Sequence, residues 1–162
     1  FKGEAEYHTI AIIVDAVGIP VLANGDITTP GKALAVLQTT GAAGIMIGRA
    51  SLGRPWLPGV IAQSIAGINV DQPSLSKRFL QMRRHLTALH DFHGDFMGIR
   101  IARKHVGWFF DAIEAALPVA VNGWNRQFNA LEAAEAQQAL LQNLERPCRG
   151  RRSTPRASEP AP

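Results

Sequence analysis

The sequence predicts an α/β unit with parallel strands, followed by an all-α helical bundle. Two short, wholly apolar runs, residues 19–23 and 44–47, lie about 24 residues apart with a helical stretch between them. After residue 50 no strand pattern recurs. From residue 76 to about residue 145, apolar side chains return every three or four positions.

Residues 4–17 place Ile10, Ile13, Val14 and Val17 at helical spacing and end at Gly18, which predicts an amphipathic helix with a glycine stop. The run 19–23 follows as a strand, with Pro20 at its entrance, where the missing N–H is tolerated. Asn24-Gly25-Asp26 breaks the strand. Thr29-Pro30 opens a second helix, which runs to about Thr40 with the proline in its first turn and Gly41 as its stop. The second strand, 44–47, leads into Gly48-Arg49. Strand, helix and strand form a βαβ unit with parallel pairing. The first helix implies a further strand upstream of Phe1. A two-stranded parallel sheet buried on both faces does not stand alone, so the chain is expected to be incomplete.

Residues 51–75 form a connector carrying Pro55, Pro58 and Pro73, with one short helix expected near 57–65. A helix over about 76–92 puts Phe79, Met82, Leu86 and Leu89 on one stripe. A second, over about 97–116, does the same with Ile99, Ala102, Val106, Phe109 and Ile113, and a third spans about 130–144. These are the inward faces of a small bundle. The expected division is therefore an α/β portion over 1–66, a helical domain over 67–146, and a disordered basic tail over 147–162, rich in Arg, Pro and Ser.

The chain has 162 residues, 46% apolar and 19% charged, a composition ordinary for a soluble globular protein. No run approaches the roughly 18–20 apolar residues of a membrane span. The opening Phe1-Lys2-Gly3-Glu4 lacks both an initiator Met and a signal-peptide layout, so a start within a longer gene product is expected. The single cysteine, Cys148, excludes an intramolecular disulfide and a multi-cysteine metal site; it is expected to be an incidental exposed thiol, and no metal is expected. The net charge of +4 is unevenly spread: residues 1–75 hold four Lys/Arg against five Asp/Glu, residues 76–146 nine against seven, and the last sixteen four against one. The positive excess lies in the C-terminal half, as expected where that half meets a polyanion.

Two strand ends offer chemistry. In α/β folds ligands gather beyond the carboxyl ends of strands, where Asn24, Gly25 and Asp26 stand after the first strand. Gly25 allows close backbone approach, and Asn24 and Asp26 supply acceptors and, for Asn24, donors. The competing reading is a βα turn in which Asp26 or Thr28 caps the next helix. Beyond the second strand, Gly48 exposes backbone N–H groups and Arg49 adds a guanidinium, an anion site by composition, against the alternative of a surface ion pair. Consecutive strand ends of this kind match the phosphate site that (β/α)8 barrels build after their seventh and eighth strands.

Taken together, Ile19-Pro20-Val21-Leu22-Ala23-Asn24-Gly25-Asp26-Ile27, Gly41-Ala42, Met46-Ile47-Gly48-Arg49-Ala50 and Gly53-Arg54-Pro55-Trp56 strongly resemble the bacterial tRNA-dihydrouridine synthases, the B-type branch above all. Leu89-His90-Asp91-Phe92-His93-Gly94, then Gly98-Ile99-Arg100-Ile101-Ala102-Arg103-Lys104-His105-Val106 and Trp108, resemble their helical domain. The opening Phe1-Lys2-Gly3-Glu4-Ala5-Glu6-Tyr7 is similar to the segment after their sixth barrel strand. The resemblance covers about residues 1–145.

It implies the C-terminal part of an FMN-binding (β/α)8 TIM barrel followed by a helical tRNA-binding domain. It also implies reduction of the C5–C6 bond of tRNA uridines by FMN recharged with NADPH, in a cytoplasmic enzyme that is monomeric when full-length. By this resemblance Asn24, Gly25 and Asp26 match the flavin-contacting segment after the seventh strand. Gly48 and Arg49 match the flavin-phosphate segment after the eighth. The family's catalytic cysteine and a flavin-contacting lysine lie upstream of Phe1, so no catalytic residue is expected here, Cys148 matches nothing, and the isolated chain is expected to be inactive.

In the helical half, Arg100 and Lys104 share one side of their helix with Arg103 at the border of the apolar stripe, and Lys77 and Arg84 share a face one helix earlier. With the resemblance, Arg100, Arg103 and Lys104 become the expected RNA contacts; without it, a solvated face. Trp108 and His105 either stack on a base or fill a packing contact. Two other readings remain: a non-catalytic RNA-binding remnant, and another FMN-dependent TIM-barrel oxidoreductase, against which the basic helical extension speaks.

Overall fold

A computed structural model describes residues 5–117 and 123–148. The chain divides into two compact units, at Gln72/Pro73, so residues 67–72 group with the first unit rather than with the helices that follow.

In the first unit α1 (Tyr7–Ala16), β1 (Leu22–Asn24), α2 (Pro30–Thr40), β2 (Gly44–Met46) and α3 (Leu57–Ile65) follow in order. The strands pair in parallel, Leu22 opposite Gly44 and Asn24 opposite Met46. The α2 helix starts where its sequence directs: Thr29 is its N-cap, the hydroxyl accepting from the Lys32 N–H at 3.2 Å, and Pro30 occupies the first turn. Gly41 ends it in the left-handed conformation, φ 65°, donating to the Leu37 carbonyl. The core of this unit joins Ala23, Ile27, Ala33, Val36, Leu57 and Ile61, with Tyr7, Ile10 and Val14 of α1 packed against it.

Helix α1 departs from expectation in two ways. It stops at Ala16, with Val17 already extended at φ −121°, so Gly18 is not a left-handed stop. Of its expected stripe, Ile13 and Val17 are exposed. Ile19, Leu22 and Met46 are exposed as well, so both strands present apolar side chains to solvent in this chain.

The second unit is built on α4 (Leu75–Ile113), with α5 (Trp124–Asn129) and α6 (Ala134–Glu145) packed along it. The two helices expected over 76–92 and 97–116 are parts of α4, broken at Gly94, whose φ of 70° and ψ of 177° are non-helical. Phe79, Met82 and Leu86 before the break, and Ile99, Ala102, Val106, Phe109 and Ile113 after it, are all buried. Helix α5 was not foreseen. Trp124 and Phe128 are its buried anchors, both edge-on to Phe110.

The break in α4 is bridged from α6. Buried Gln137 accepts at Oε1 from His90 Nε2, at 2.9 Å, and its Nε2 donates to the Ile99 carbonyl at 3.2 Å. Because Nε2 of the amide faces a carbonyl, Oε1 faces the imidazole, and His90 Nε2 carries the proton. Arg83, from the first half of α4, pairs with the buried Glu145 carboxylate at 3.7 Å.

Cys148 corrects the sequence reading. It lies in a 3₁₀ turn, Arg146–Cys148, 2% exposed, with its thiol 3.5 Å from the Leu144 carbonyl. Burial, then the nearby Glu145 carboxylate, pushes its pKa up, so it is a small core residue and not an exposed thiol. Pro147 and Cys148 thus belong to folded structure. The rest of the expected tail, residues 149–162, lies outside the described residues, as does the opening 1–4. No helix among the described residues is long and apolar enough to cross a membrane.

Candidate functional site

The strand tips of the first unit converge. The Asn24-Gly25-Asp26 turn leaves β1 through two positive φ angles, 131° at Gly25 and 47° at Asp26. A Cβ on Gly25 would overlap that of Ala5, so only glycine fits there. The Gly25 carbonyl accepts from the Tyr7 hydroxyl at 2.7 Å, and the Lys32 ammonium lies 4.7 Å from the centre of the Tyr7 ring. Asp26 caps no helix; Thr29 does that. Its carboxylate instead accepts from the Ala5 N–H at 3.0 Å and from Arg49 Nη2 at 3.4 Å.

Arg49 opens the 3₁₀ turn Arg49–Ser51 beyond β2, and its side chain is 70% exposed, so one nitrogen meets Asp26 while the rest of the guanidinium faces solvent. At Gly48 a Cβ would meet nothing within 4 Å, so the backbone beside Arg49 is open to an approaching group. The structure brings together Asn24, Gly25, Asp26, Gly48 and Arg49 at one end of the parallel pair. Tyr7 and Ala5, which brace the turn, were singled out in the sequence only as part of the first helix and of the opening segment 1–7.

In the second unit Arg100, Arg103 and Lys104 line an open cleft of about 400 Å³ together with Trp108, Asn125 and Asn129. The three cations differ in their commitments. The Arg100 guanidinium lies 4.5 Å from the centre of the exposed Phe96 ring, and the Lys104 ammonium 5.1 Å from that of Trp108. Arg103 is half-buried and donates from Nη2 to the Leu131 carbonyl at 3.1 Å, while its buried Nε–H has no acceptor among the described residues. Trp108 is half-buried, edge-on to His105 at 5.3 Å. Lys77 and Arg84 are exposed.

A histidine pair lies behind this face. His85 Nε2 and His105 Nδ1 are 3.0 Å apart, so one ring donates to the other and at least one must be neutral at its contact nitrogen. Burial lowers both pKa values. For His105 the neighbouring His85, Lys104 and His93 lower it further. Sequence reasoning singled out His105 but missed its partner twenty residues earlier. It also missed Asn125 and Asn129, for which Gly107 is the available signal: a glycine in mid-helix, over which the Asn125 carboxamide packs. Among the described residues no group of three or more His, Cys, Asp or Glu could hold a metal ion.

Comparison with known proteins adds the family. The profile of the dihydrouridine synthase family matches residues 1–148. The chain is 49% identical over 138 residues to tRNA-dihydrouridine synthase B of Pseudomonas putida, covering 85% of this chain and 40% of that protein. It is 49% identical over 146 residues to the protein of the same name from Pseudomonas syringae pv. tomato, covering 89% and 42%. With that of Vibrio parahaemolyticus the identity is 43% over 143 residues, covering 88% and 43%. The chain thus spans about two fifths of the length of these relatives. With a family profile running through both compact units and about half of the aligned residues shared with such relatives, the chain belongs to the dihydrouridine synthase family.

Proposed function

We propose that this chain supplies the flavin-phosphate end and the RNA-binding helices of a tRNA-dihydrouridine synthase, a cytoplasmic enzyme, monomeric when full-length, that reduces uridines in tRNA with FMN and NADPH. The observation that carries the proposal is the meeting of Asp26 and Arg49 across two adjacent parallel strand tips, in a chain whose relatives are named for this reaction. The exposed apolar residues Ile19, Leu22 and Met46 support a sheet continued by further strands, in a (β/α)8 barrel.

The residues fit the phosphorylated end of a flavin. Arg49 has guanidinium donors turned to solvent, Gly48 leaves the adjoining backbone open, and Asp26 orients Arg49 by one nitrogen. Gly25, where Ala5 fills the place of a Cβ, allows the tight turn that carries Asp26, and Asn24 adds an exposed carboxamide at the tip of β1. When bound, the reduced flavin supplies the hydride for the C5–C6 bond of uracil. The proton required at the other carbon is assigned in this proposal to a residue outside this chain; its one thiol, Cys148, is buried with its pKa raised. Arg100 and Lys104 would hold RNA by its phosphates, the sequence-independent share of tRNA binding.

The test is to incubate the chain with tRNA, FMN and NADPH. Salt-sensitive tRNA binding without dihydrouridine formation is expected. Uridine reduction by the chain alone would overturn the assignment of the acid to residues outside it, and absence of tRNA binding would remove the RNA-binding role. Tightly retained flavin would exclude a purely RNA-binding remnant.

A further inference from the structure

The turn that carries Asp26 is held by the segment that opens α1. Asp26 is the one non-glycine residue with a positive φ among the described residues, at 47°. An L side chain adopts that conformation at a cost, and it persists only where the surroundings hold it. Three contacts from residues 5–7 do so. The Ala5 Cβ fills the place that a Cβ on Gly25 would take. The Ala5 N–H donates to Asp26 Oδ2 at 3.0 Å, and the Tyr7 hydroxyl donates to the Gly25 carbonyl at 2.7 Å.

The Tyr7 contact does more than hold the strain. The Gly25 oxygen belongs to the planar trans peptide that joins Gly25 to Asp26, so the Asp26 N–H points opposite to that oxygen. With the oxygen tied to Tyr7, the N–H is turned away from the hydroxyl. It has no acceptor among the described residues, and Asp26 is exposed. A backbone donor thus stands free on the residue whose carboxylate aims Arg49. Without the hydroxyl the peptide can turn over: Gly25 accepts the new ψ freely, and Asp26 relaxes to a negative φ. The oxygen then takes the place of the donor and repels an anion.

We propose that Tyr7 is a positioning residue for the flavin phosphate: its hydroxyl holds the peptide between Gly25 and Asp26 so that the Asp26 N–H donates to the phosphate bound by Arg49. This role rests on the flavin-phosphate reading of Asp26 and Arg49, and adds to it a residue that touches no ligand itself. The strained φ then has a use. A relaxed Asp26 would present a carbonyl oxygen where an anion needs a backbone donor.

Tyr7→Phe isolates the hydroxyl, because the ring and its contact with the Lys32 ammonium remain. The test measures the affinities of the 162-residue chain for FMN and riboflavin by quenching of flavin fluorescence. In Tyr7→Phe the preference for FMN over riboflavin should fall about two- to tenfold, the worth of one hydrogen bond in the balance between the two peptide orientations. Riboflavin affinity and the circular dichroism spectrum should not change. Ile10→Val, which loosens the packing of α1 on the core without touching the turn, should leave the preference as it is. An unaltered preference in Tyr7→Phe, equal loss for both flavins, or the same fall in Ile10→Val would overturn the proposal. Arg49→Ala separates the positioning role from the phosphate site beneath it. If that variant loses the preference while Tyr7→Phe keeps it, the phosphate site stands and the positioning role falls. If the wild type binds FMN no better than riboflavin, both fall.

Discussion

Arg49 Nη2 lies 3.4 Å from Asp26 Oδ1, joining the ends of two parallel strands across 23 residues of sequence. Both side chains are well exposed, 70% and 41%, so the pair is worth at most about 1 kcal/mol to folding. Its consequence is positional: the ion pair fixes one nitrogen of the guanidinium and aims the others outward. Arg49→Ala should therefore change unfolding free energy by less than about 1 kcal/mol in urea. It should weaken FMN by about tenfold or more, the effect of losing one charge-assisted contact, and leave riboflavin unaffected because riboflavin lacks the phosphate. Equal loss for both flavins would place Arg49 away from the phosphate.

Gln137 should matter to stability far more than its polarity suggests. It links His90 and Ile99 on either side of the Gly94 break, and it is fully buried. Gln137→Leu keeps the volume but leaves the His90 Nε2–H without an acceptor, at a cost of about 1–3 kcal/mol. Urea unfolding measures this directly. An unchanged midpoint would mean that water or another group satisfies His90. Amide exchange over the residues flanking Gly94 should quicken in the same variant, since the hydrogen bonds that tie α6 to both sides of the break are then lost.

Much of this architecture is legible in the chain because local rules and tertiary packing agree. Thr29-Pro30 and Gly41 bracket α2 by capping chemistry alone, and the α4 stripe of Ile99, Ala102, Val106, Phe109 and Ile113 lies in the core as its periodicity requires. The failures have physical causes. Ile13 and Val17 fit a helical stripe, but in this unit α1 packs through Tyr7, Ile10 and Val14. Helix α5 is six residues long, too short for periodicity to declare itself, and is held by Trp124 and Phe128 against Phe110. Cys148 sits among Arg and Pro, where composition argues for disorder, yet one turn beyond α6 is enough to bury it. At the site, strand-end position was sufficient to select Asp26 and Arg49. That they pair, and that Asp26 also holds the Ala5 N–H, depends on contacts that no spacing rule encodes.

The three cations expected to meet RNA should separate on mutation. Arg100 and Lys104 each lie against an aromatic ring and form no ion pair among the described residues, so Arg100→Ala and Lys104→Ala should act on binding. Each should reduce the slope of log affinity against log salt by about 0.7–0.9, one phosphate's worth. Arg103 is tied to the Leu131 carbonyl through a half-buried guanidinium, so Arg103→Ala should cost about 1–3 kcal/mol of stability. A salt series with each variant, alongside urea unfolding, resolves the two classes. Arg103→Ala with intact stability and a lowered slope would return it to the RNA face.

The histidine pair makes stability depend on mild acid. His85 and His105 share a hydrogen bond that needs an acceptor nitrogen, and burial lowers both pKa values below the ordinary histidine range. Lys104 and His93 add to the depression at His105, and no acidic cause opposes it. A folded-state pKa below the unfolded one means that the unfolded chain binds more protons in acid. The stabilisation is complete above the unfolded value of about 6.5 and is lost as pH falls from there through the folded values. Urea midpoints should therefore drop between about pH 7 and pH 5, and His85→Gln, which removes one titrating ring and the mutual repulsion, should flatten that drop. Since carboxylates also titrate towards the lower end of this range, the informative quantity is the difference between wild type and variant near pH 6, where Asp and Glu remain ionised. Parallel curves for the two proteins would mean that the rings are protonated in the folded state as readily as in the unfolded one, and the pair would then carry no pH dependence.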